Sequence, residues 1–377
     1  MHAAASGPTP RSAPGSGFRK RPAAASVAGA PSLKCARQLV TTDDRQRSTQ
    51  DAARALSVFS ADFDDAAYAR MTADEPRVSA YARAIEQAGL AGRTVLDIGT
   101  GPHALLAVLC ARAGAARVIA LEAVPMVAEK ARKAVASAGL QDQIVVICGN
   151  STAVELPRVD VVVHEIVGDL ATEEGVAAVL ANLQGRFDVI DTQRRGWSLP
   201  CRIETHCAPI SLHLEVADDD RDDAGEAQAT ARLVRLPLAP PPCTVLGQQR
   251  AIEVVDADSA INLVQEKELS WCMSVQATLT GVACAPWILL DNDNTIDAWT
   301  GKYHWRHAFV LLNTPVLVDI GDVVKLRVRA DLQQFPVRHS FTISLCRKPG
   351  SDGQPALRDQ EVVGSVEVKL DDPTGLA

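Results

Sequence analysis

The sequence lacks several patterns that would assign it to a common class of protein. No two of its nine cysteines form a CxxC pair, so no zinc knuckle or other metal site is indicated and a reducing compartment is favoured. No run of about 18 apolar residues is present, so a membrane span is not expected. No GxxxxGKS sequence is present either, which argues against a P-loop. Cys110 and Cys148 lie in strongly apolar segments and are predicted to be core residues.

Acidic residues are absent from residues 1–42, which carry six basic residues. Residues 1–50, rich in Ala, Ser and Pro, cannot bury enough apolar surface to fold, and we predict a disordered basic leader. The leader fits either a plain tail or an organelle transit peptide. We therefore expect an intracellular protein, cytoplasmic or nuclear, or imported into a plastid or mitochondrion.

The rest of the chain is acidic, because the whole sequence has a net charge of −8 despite that leader. An acidic body attracts basic partners and repels nucleic-acid backbones, although ordinary solubility would explain the charge equally well. We expect a basic protein partner and no direct binding of nucleic acid.

Hydrophobic periodicity predicts an α/β fold. Residues 51–93 have helical spacing, and residues 94–199 alternate short apolar strands with helices, which indicates a parallel, Rossmann-like sheet. Residues 200–377 contain short alternating runs separated by turns, which predicts a mostly antiparallel, β-barrel-like second domain.

A glycine-containing turn after the first predicted strand indicates a nucleoside cofactor. Asp97 ends that strand and is followed by Gly99 and Gly101, which would let a ligand lie against bare backbone. Glu122 ends the next strand and could accept the hydroxyls of a ribose. His103 stands where a dinucleotide fingerprint has its third glycine, which favours S-adenosylmethionine over a pyrophosphate-containing cofactor. A turn that binds no nucleotide is the alternative.

Residues 60–346 resemble the protein arginine N-methyltransferases, which depend on S-adenosylmethionine. Six motifs in order carry this resemblance: DEPRVSAYARAI (74–85), VLDIGTG (95–101), VIALE (118–122), VELP (154–157), VVVHEIVGDLATEEG (161–175) and YHWRHAFVLL (303–312). The resemblance implies methyl transfer from S-adenosylmethionine to a guanidino nitrogen of arginine in proteins. It also implies a homodimer.

The resemblance assigns cofactor-binding roles to matching positions of this sequence. Arg77 would hold the methionine carboxylate, Met71 would lie beside the reacting methyl group, and Ser151 and Thr152 would lie by the adenine. The other implied cofactor residues are those already indicated by the strand ends: Asp97, Gly99, Gly101 and Glu122.

Glu165 and Glu174 resemble the double-glutamate hairpin of the family. A guanidinium stays charged at neutral pH, and two carboxylates can pair with its planar fork through directional, charge-assisted bonds. Such a clamp would position one nitrogen and leave it more nucleophilic. Glu173 is the competing choice for the second acid, but the Gly175 that follows Glu174 favours Glu174. The alternative is that Glu173 and Glu174 simply favour a helix start.

The segment Tyr303-His304-Trp305 resembles the Thr-His-Trp loop of the family. The resemblance pairs His304 with Asp74 as acceptor of the released proton, and places Trp305 against the substrate guanidinium. The alternative for His304 is a histidine packed in a domain interface.

The sequence also departs from the family pattern. Asp169 replaces the usual residue after the hairpin glycine, and the expected dimerisation arm is represented by at most a short helix near 224–235. The alternatives are a same-fold methyltransferase with a non-arginine acceptor and a non-catalytic scaffold. The pattern does not distinguish mono-, symmetric and asymmetric dimethylation.

Overall fold

A computed structural model describes residues 65–213, 230–236, 243–333, 335–348 and 361–369. The predicted leader and the first predicted helical segment (51–59) lie outside these ranges.

Two helices precede the first sheet, α1 (Asp65–Ala73) and α2 (Glu75–Gln87). Asp74 caps α2 by accepting a hydrogen bond from the backbone N–H of Arg77, and Pro76 occupies its first turn, where a missing N–H has no cost. The buried face of α2 includes Tyr81 and Ile85, four residues apart. The predicted helix over this segment is confirmed.

The first sheet contains five parallel strands in the order β3-β2-β1-β4-β5. Three helices connect its strands. The apolar strands form the core, because helices cover both faces of such a sheet. The strands are β1 (Thr94–Ile98), β2 (Arg117–Glu122), β3 (Ile144–Cys148), β4 (Val161–His164) and β5 (Ser198–Leu199), and the helices are α3 (Leu105–Arg112), α4 (Pro125–Ser137) and α5 (Val176–Gln184).

The chain reverses its direction of strand addition between β1 and β4. The first three strands are added outward on one side, whereas β4 returns to the other side of β1. Ligands of open α/β sheets bind at such a switch point, beyond the carboxyl ends of the strands. The site is therefore expected where β1 and β4 end, at Ile98 and His164.

The rest of the described chain forms two antiparallel sheets. One has the order β10-β14-β15-β16; the other has the order β7-β13-β11-β6-β8, with β12 paired to β11 and β9 to β6. The strands are β6 (Arg202–Leu212), β7 (Ala231–Leu236), β8 (Cys243–Val245), β9 (Arg250–Asp256), β10 (Val264–Cys272), β11 (Ala277–Leu289), β12 (Thr295–Asp297), β13 (His307–Val318), β14 (Val323–Asp331), β15 (Arg338–Cys346) and β16 (Glu361–Lys369). The predicted fold class, a Rossmann-like part followed by a mostly antiparallel part, is confirmed.

Two local predictions are wrong. The short helix expected near 224–235 is, over its described residues, strand β7, because Ala231 and the residues after it pair with β13. Cys148 is exposed because β3 is an edge strand of the parallel sheet, whereas Cys110 is buried as predicted. Within the described ranges, no helix is both long and apolar enough to span a membrane.

Candidate active site

The turn after β1 has the backbone conformation that the glycine spacing predicts. Gly99 and Gly101 have φ values of 73° and 65°, in the left-handed region that side chains avoid. The N–H groups of Gly99 and Thr100 both donate to the carbonyl oxygen of Leu121, at 3.0 and 2.9 Å. A Cβ on Gly99 would lie 3.6 Å from Ile166, so this turn adjoins the segment that begins at Glu165.

Two buried acids fix this turn. Asp97 accepts hydrogen bonds at Oδ2 from the Thr100 hydroxyl (2.6 Å) and the Ala107 N–H (3.1 Å), and burial raises its pKa to about 7. Glu122 accepts from the N–H groups of Gly101 (3.1 Å) and Val124 (2.9 Å), and burial raises its pKa also. Glu122 therefore lies beside Gly101, as an acid that binds a ribose there should.

The loop after β3 lies beside this acid. The Gly149 N–H donates to the Glu122 carbonyl oxygen at 2.9 Å, which ties the start of the loop to the end of β2. Ser151 is buried, and its carbonyl oxygen accepts from Arg186 Nη1 at 3.0 Å. Thr152 is exposed and donates to Asn150 Oδ1 through its N–H and its hydroxyl. Both predicted adenine neighbours therefore lie in a loop that starts beside the predicted ribose acid.

Arg77 on α2 joins the N-terminal helices to the segment that follows β4. Its side chain is only 3% exposed, its Nη1 forms an ion pair with Glu165 Oε2, and its Nη2 donates to the Met71 carbonyl oxygen at 2.6 Å. Its Nε and the Glu165 Oε1 atom are buried without a hydrogen-bond partner among the described residues. A buried cation with a spare donor is suited to hold an anionic ligand group.

The hairpin after β4 distinguishes Glu173 from Glu174. Glu173 Oε1 accepts from the Asp169 N–H (2.6 Å), and its Oε2 accepts from Arg235 Nη2 (2.8 Å), so this carboxylate is committed to the hairpin itself. A Cβ on Gly168 would lie 2.3 Å from Glu173 Cγ, so a side chain at position 168 would displace the Glu173 carboxylate from this arrangement. Glu174 makes no hydrogen bond to any described residue and is left for a ligand.

The electrostatics of the hairpin favour a cation. Burial raises the pKa of Glu174 well above its ordinary value, and the charges of Glu173, Glu165 and Asp169 raise it further. Glu174 and Glu165 are thus close enough for their charges to interact. A guanidinium placed between them would reverse this shift, because opposite charge stabilises the ionised carboxylate.

The predicted pair of His304 and Asp74 is formed. Asp74 Oδ2 accepts from the His304 N–H (2.7 Å) and lies 3.1 Å from His304 Nδ1, while its Oδ1 caps α2. Burial alone would raise the pKa of Asp74, but the hydrogen bonds with His304 and with the N–H of Arg77 outweigh it and lower the pKa. Asp74 therefore stays ionised and orients the imidazole.

Trp305 packs behind the hairpin. It is 3% exposed, its Nε1 donates to the Val167 carbonyl oxygen at 2.7 Å, and its ring centroid lies 4.2 Å from that of His304. The indole N–H is therefore used to hold the hairpin, and any contact with a guanidinium would be made by the ring.

The sequence analysis missed the residues that hold the hairpin from the antiparallel sheets. Asp169 accepts from the N–H (2.8 Å) and Nε (2.9 Å) of Arg306, and its Oδ2 lies 3.4 Å from Arg235 Nε. Asp169 was singled out only as a departure from the family pattern. Its two arginine partners lie 66 and 137 residues along the chain, and nothing in the local pattern indicates such a pairing.

The sequence of this chain is similar to those of known methyltransferases. Residues 77–175 match the family model for ribosomal protein L11 methyltransferase (PrmA). The chain is similar to the arginine N(omega)-methyltransferase of Streptomyces achromogenes subsp. streptozoticus, with 30% identity over 272 residues that cover 68% of this chain and 74% of the relative. It is also similar to protein arginine N-methyltransferase PRMT10 of Arabidopsis thaliana, with 34% identity over 42% of this chain and 40% of the relative.

Two solved structures share the fold. The crystal structure of Arabidopsis thaliana protein arginine methyltransferase 10 superposes with a TM-score of 0.62 and 19% identity, covering 82% of this chain and 99% of that one. The Trypanosoma brucei PRMT1 enzyme-prozyme heterotetrameric complex with AdoHcy has a TM-score of 0.59 and 16% identity, covering 78% and 96%. Against the curated relatives, the chain spans about three quarters of the Streptomyces protein but only two fifths of the plant protein.

Proposed function

We propose, from the premise that this chain belongs to the protein arginine N-methyltransferase family, that it transfers a methyl group from S-adenosylmethionine to a guanidino nitrogen of arginine in protein substrates. One observation carries the proposal. Glu165, whose Oε1 atom is buried with no partner among the described residues, begins a hairpin that folds back at Gly168 against Glu173, the neighbour of Glu174, and that hairpin adjoins the glycine turn after β1.

S-adenosylmethionine fits the residues present. A turn of bare left-handed backbone, an acid at the end of β2 and a buried arginine with an unpaired Nε suit its amino-acid part, ribose and carboxylate. When bound, this cofactor supplies an electrophilic methyl group on a sulfonium. The residues that would hold it are Met71, Arg77, Asp97, Gly99, Gly101, Glu122, Ser151 and Thr152.

Glu165 and Glu174 would bind the acceptor. A guanidinium does not lose its charge on binding, so the two carboxylates act by orientation and by concentrating its positive charge away from the attacking nitrogen. The methylated nitrogen must lose one proton. His304 would receive it at Nε2, because its Nδ1 faces Asp74, whose ionised carboxylate would stabilise the imidazolium.

The acceptor is tested directly with methyl-labelled cofactor. The expected result is label on arginine in a Gly/Arg-rich peptide or a histone, read by acid hydrolysis, which also identifies mono-, symmetric or asymmetric dimethylarginine. Free arginine belongs in the same assay, because the Streptomyces relative is named for arginine rather than for protein arginine. Label on free arginine alone would replace the protein acceptor, and cofactor binding without transfer to either would contradict the proposed activity.

Two further expectations belong to this proposal. The family resemblance favours a homodimer, and the acidic body favours basic proteins as partners; sedimentation of the full chain tests the first. The second expectation is an intracellular location, which includes import into an organelle directed by the basic leader. Sequencing the mature N-terminus of the protein from cells tests that import.

A further inference from the structure

A buried polar cluster lies behind the hairpin, outside the residues that would touch cofactor or acceptor. Its centre is Glu253 on β9, which is fully buried, and its other members are Thr172, Thr205 and His339. Glu253 Oε1 accepts from the Thr172 N–H (3.3 Å) and from the Thr205 hydroxyl; its Oε2 accepts from the Thr172 hydroxyl (2.7 Å) and lies 2.8 Å from His339 Nε2. Three elements are therefore joined to the hairpin by one carboxylate.

The cluster holds the hairpin close to Glu174. The Ala171 N–H donates to the Thr205 hydroxyl oxygen at 2.8 Å, so two successive hairpin amides are bound by the cluster. The Thr172 carbonyl oxygen then accepts from the Gly175 N–H at 2.9 Å, which closes a turn around Glu173 and Glu174. The first residue of the turn that carries Glu174 is thus fixed by Glu253.

The cluster contains opposite charges. Burial alone would raise the pKa of Glu253, but the charge of His339 and the hydroxyls of Thr205 and Thr172 outweigh it and lower the pKa. Burial alone would lower the pKa of His339, but Glu253 outweighs it, Glu173 adds to the rise, and Arg235 opposes it. Each group therefore favours the ionised form of the other, and the two form an ion pair below the raised pKa of His339.

Stability alone does not explain such a buried pair. Replacing a buried ion pair with apolar groups of similar volume is often neutral or stabilising, because the desolvation of two charges offsets their attraction. A role in geometry does account for it, because three of the four bonds of Glu253 end on Thr172 or on the Thr205 hydroxyl, which itself binds the Ala171 N–H.

We propose that Glu253 is a positioning residue for methyl transfer, which fixes through the amide and hydroxyl of Thr172 the turn that presents Glu174 to the acceptor. The inference rests on the proposed function of Glu174. Displacing a catalytic group by about 1 Å costs on the order of 100-fold in rate. Glu253→Gln therefore lowers kcat for a Gly/Arg-rich peptide by about 10- to 100-fold. Cofactor affinity stays the same, because no residue assigned to cofactor binding touches the cluster.

A matched control exists on the neighbouring strand. Gln265 on β10 is also buried, and it bonds the N–H (2.9 Å) and carbonyl (2.7 Å) of Val254, the residue next to Glu253, with no bond to the hairpin. Gln265→Met removes three side-chain hydrogen bonds, two to the backbone of Val254 and one to the Asn262 carbonyl oxygen. It should lower Tm and leave kcat within about two-fold.

The experiment compares wild type, Glu253→Gln, Thr172→Val and Gln265→Met as full chains. The measurements are kcat and KM for the peptide, Kd for S-adenosylhomocysteine, Tm, and amide hydrogen exchange over residues 166–175. Glu253→Gln and Thr172→Val should each lower kcat, keep Kd and increase exchange in the hairpin. Thr172→Val is nearly isosteric, so it carries the test if Glu253→Gln fails to fold.

The outcomes separate the two proposals. Wild-type kcat in both variants, unchanged hairpin exchange, or an equal loss of kcat in Gln265→Met would overturn the positioning role. A wild-type protein that binds S-adenosylhomocysteine but transfers no methyl group would contradict the proposed function instead, and the exchange data would still decide whether Glu253 anchors the hairpin.

Discussion

The two sides of the site are built by different means. The cofactor side is fixed by backbone, because Gly99 and Gly101 adopt left-handed conformations. Asp97 and Glu122 accept hydrogen bonds from backbone N–H groups that lie within about one strand and one helix of them along the chain. The acceptor side is fixed by side chains from strands that lie far along the chain. A backbone turn tolerates the loss of one side chain, whereas a hairpin held by charges depends on each of its partners.

The largest effect is expected from removing the space that the hairpin needs. Gly168→Ala places a Cβ 2.3 Å from Glu173 Cγ, so Glu173 must leave Asp169 and Arg235 and the turn opens. We expect transfer to fall by about 100-fold or more. Gly185→Ala is the control, since its φ is −86° and its Cβ would meet only the Asn182 carbonyl oxygen at 3.4 Å. Equal activity of the two variants would show that the closed hairpin is not needed.

The next effect comes from the arginine that holds two hairpin acids. Arg235→Gln removes the ion pairs with Glu173 and Asp169 and leaves both carboxylates largely buried, which should cost about 2–4 kcal/mol of unfolding free energy. Arg329→Gln is the control: its partner Glu266 is 2.8 Å away, but both side chains are more than half exposed, so we expect under about 1 kcal/mol. Urea unfolding measures the free energy of unfolding of both variants. Similar losses in the two would show that the hairpin ion pairs stabilise the protein no more than a surface pair does.

A smaller effect is expected from pH. Glu253 raises the pKa of His339 above its ordinary value of 6.5. The stabilisation of the folded protein by this pair is therefore complete below about pH 6.5 and is lost as pH rises through the raised pKa. The Tm difference between wild type and His339→Gln should therefore be larger at pH 6 than at pH 9. His213→Gln, at an exposed histidine, should show no such trend. A difference that grows with pH would mean that His339 is neutral in the folded protein.

The smallest effect is expected on the cofactor side. Thr100→Val removes the 2.6 Å hydrogen bond to Asp97, which should cost about 1 kcal/mol of stability. The rate of transfer at saturating cofactor should stay within about two-fold, because the Ala107 N–H and the glycine conformations still hold the turn. A loss as large as that of Gly168→Ala would show that both sides depend on side chains equally.

The cofactor side is fixed by nearby residues and the acceptor side by distant ones, and this explains how much of the site could be predicted from the sequence. The strand over Thr94–Ile98, the glycine turn and Glu122 follow from patterns within about thirty residues, so local reasoning finds them. The bonds of Arg235 and Glu253 to the hairpin, and of His339 to Glu253, join residues that no spacing rule relates. The sequence already favours Glu174 over Glu173 as the second acid, and the bonds of Glu173 add the physical reason, because its carboxylate is committed to the hairpin.

The two wrong local predictions have the same origin. The residues from Ala231 form a strand because β13 offers them a partner, and tertiary pairing outweighs a weak local preference. Cys148 ends an apolar run that resembles a central strand, but strand order, which the sequence does not reveal, puts it at the edge of the sheet.

The central claim, that Glu174 grips the acceptor cation, is tested most directly by proton release. The pKa of Glu174 is raised by burial and by its acidic neighbours, and a bound guanidinium should lower it, so binding of an arginine peptide should expel a proton. Calorimetric titration of the S-adenosylhomocysteine complex near pH 6, in buffers of different ionisation enthalpy, counts that proton. We expect release by wild type and none by Glu174→Gln; equal release by both would contradict the account.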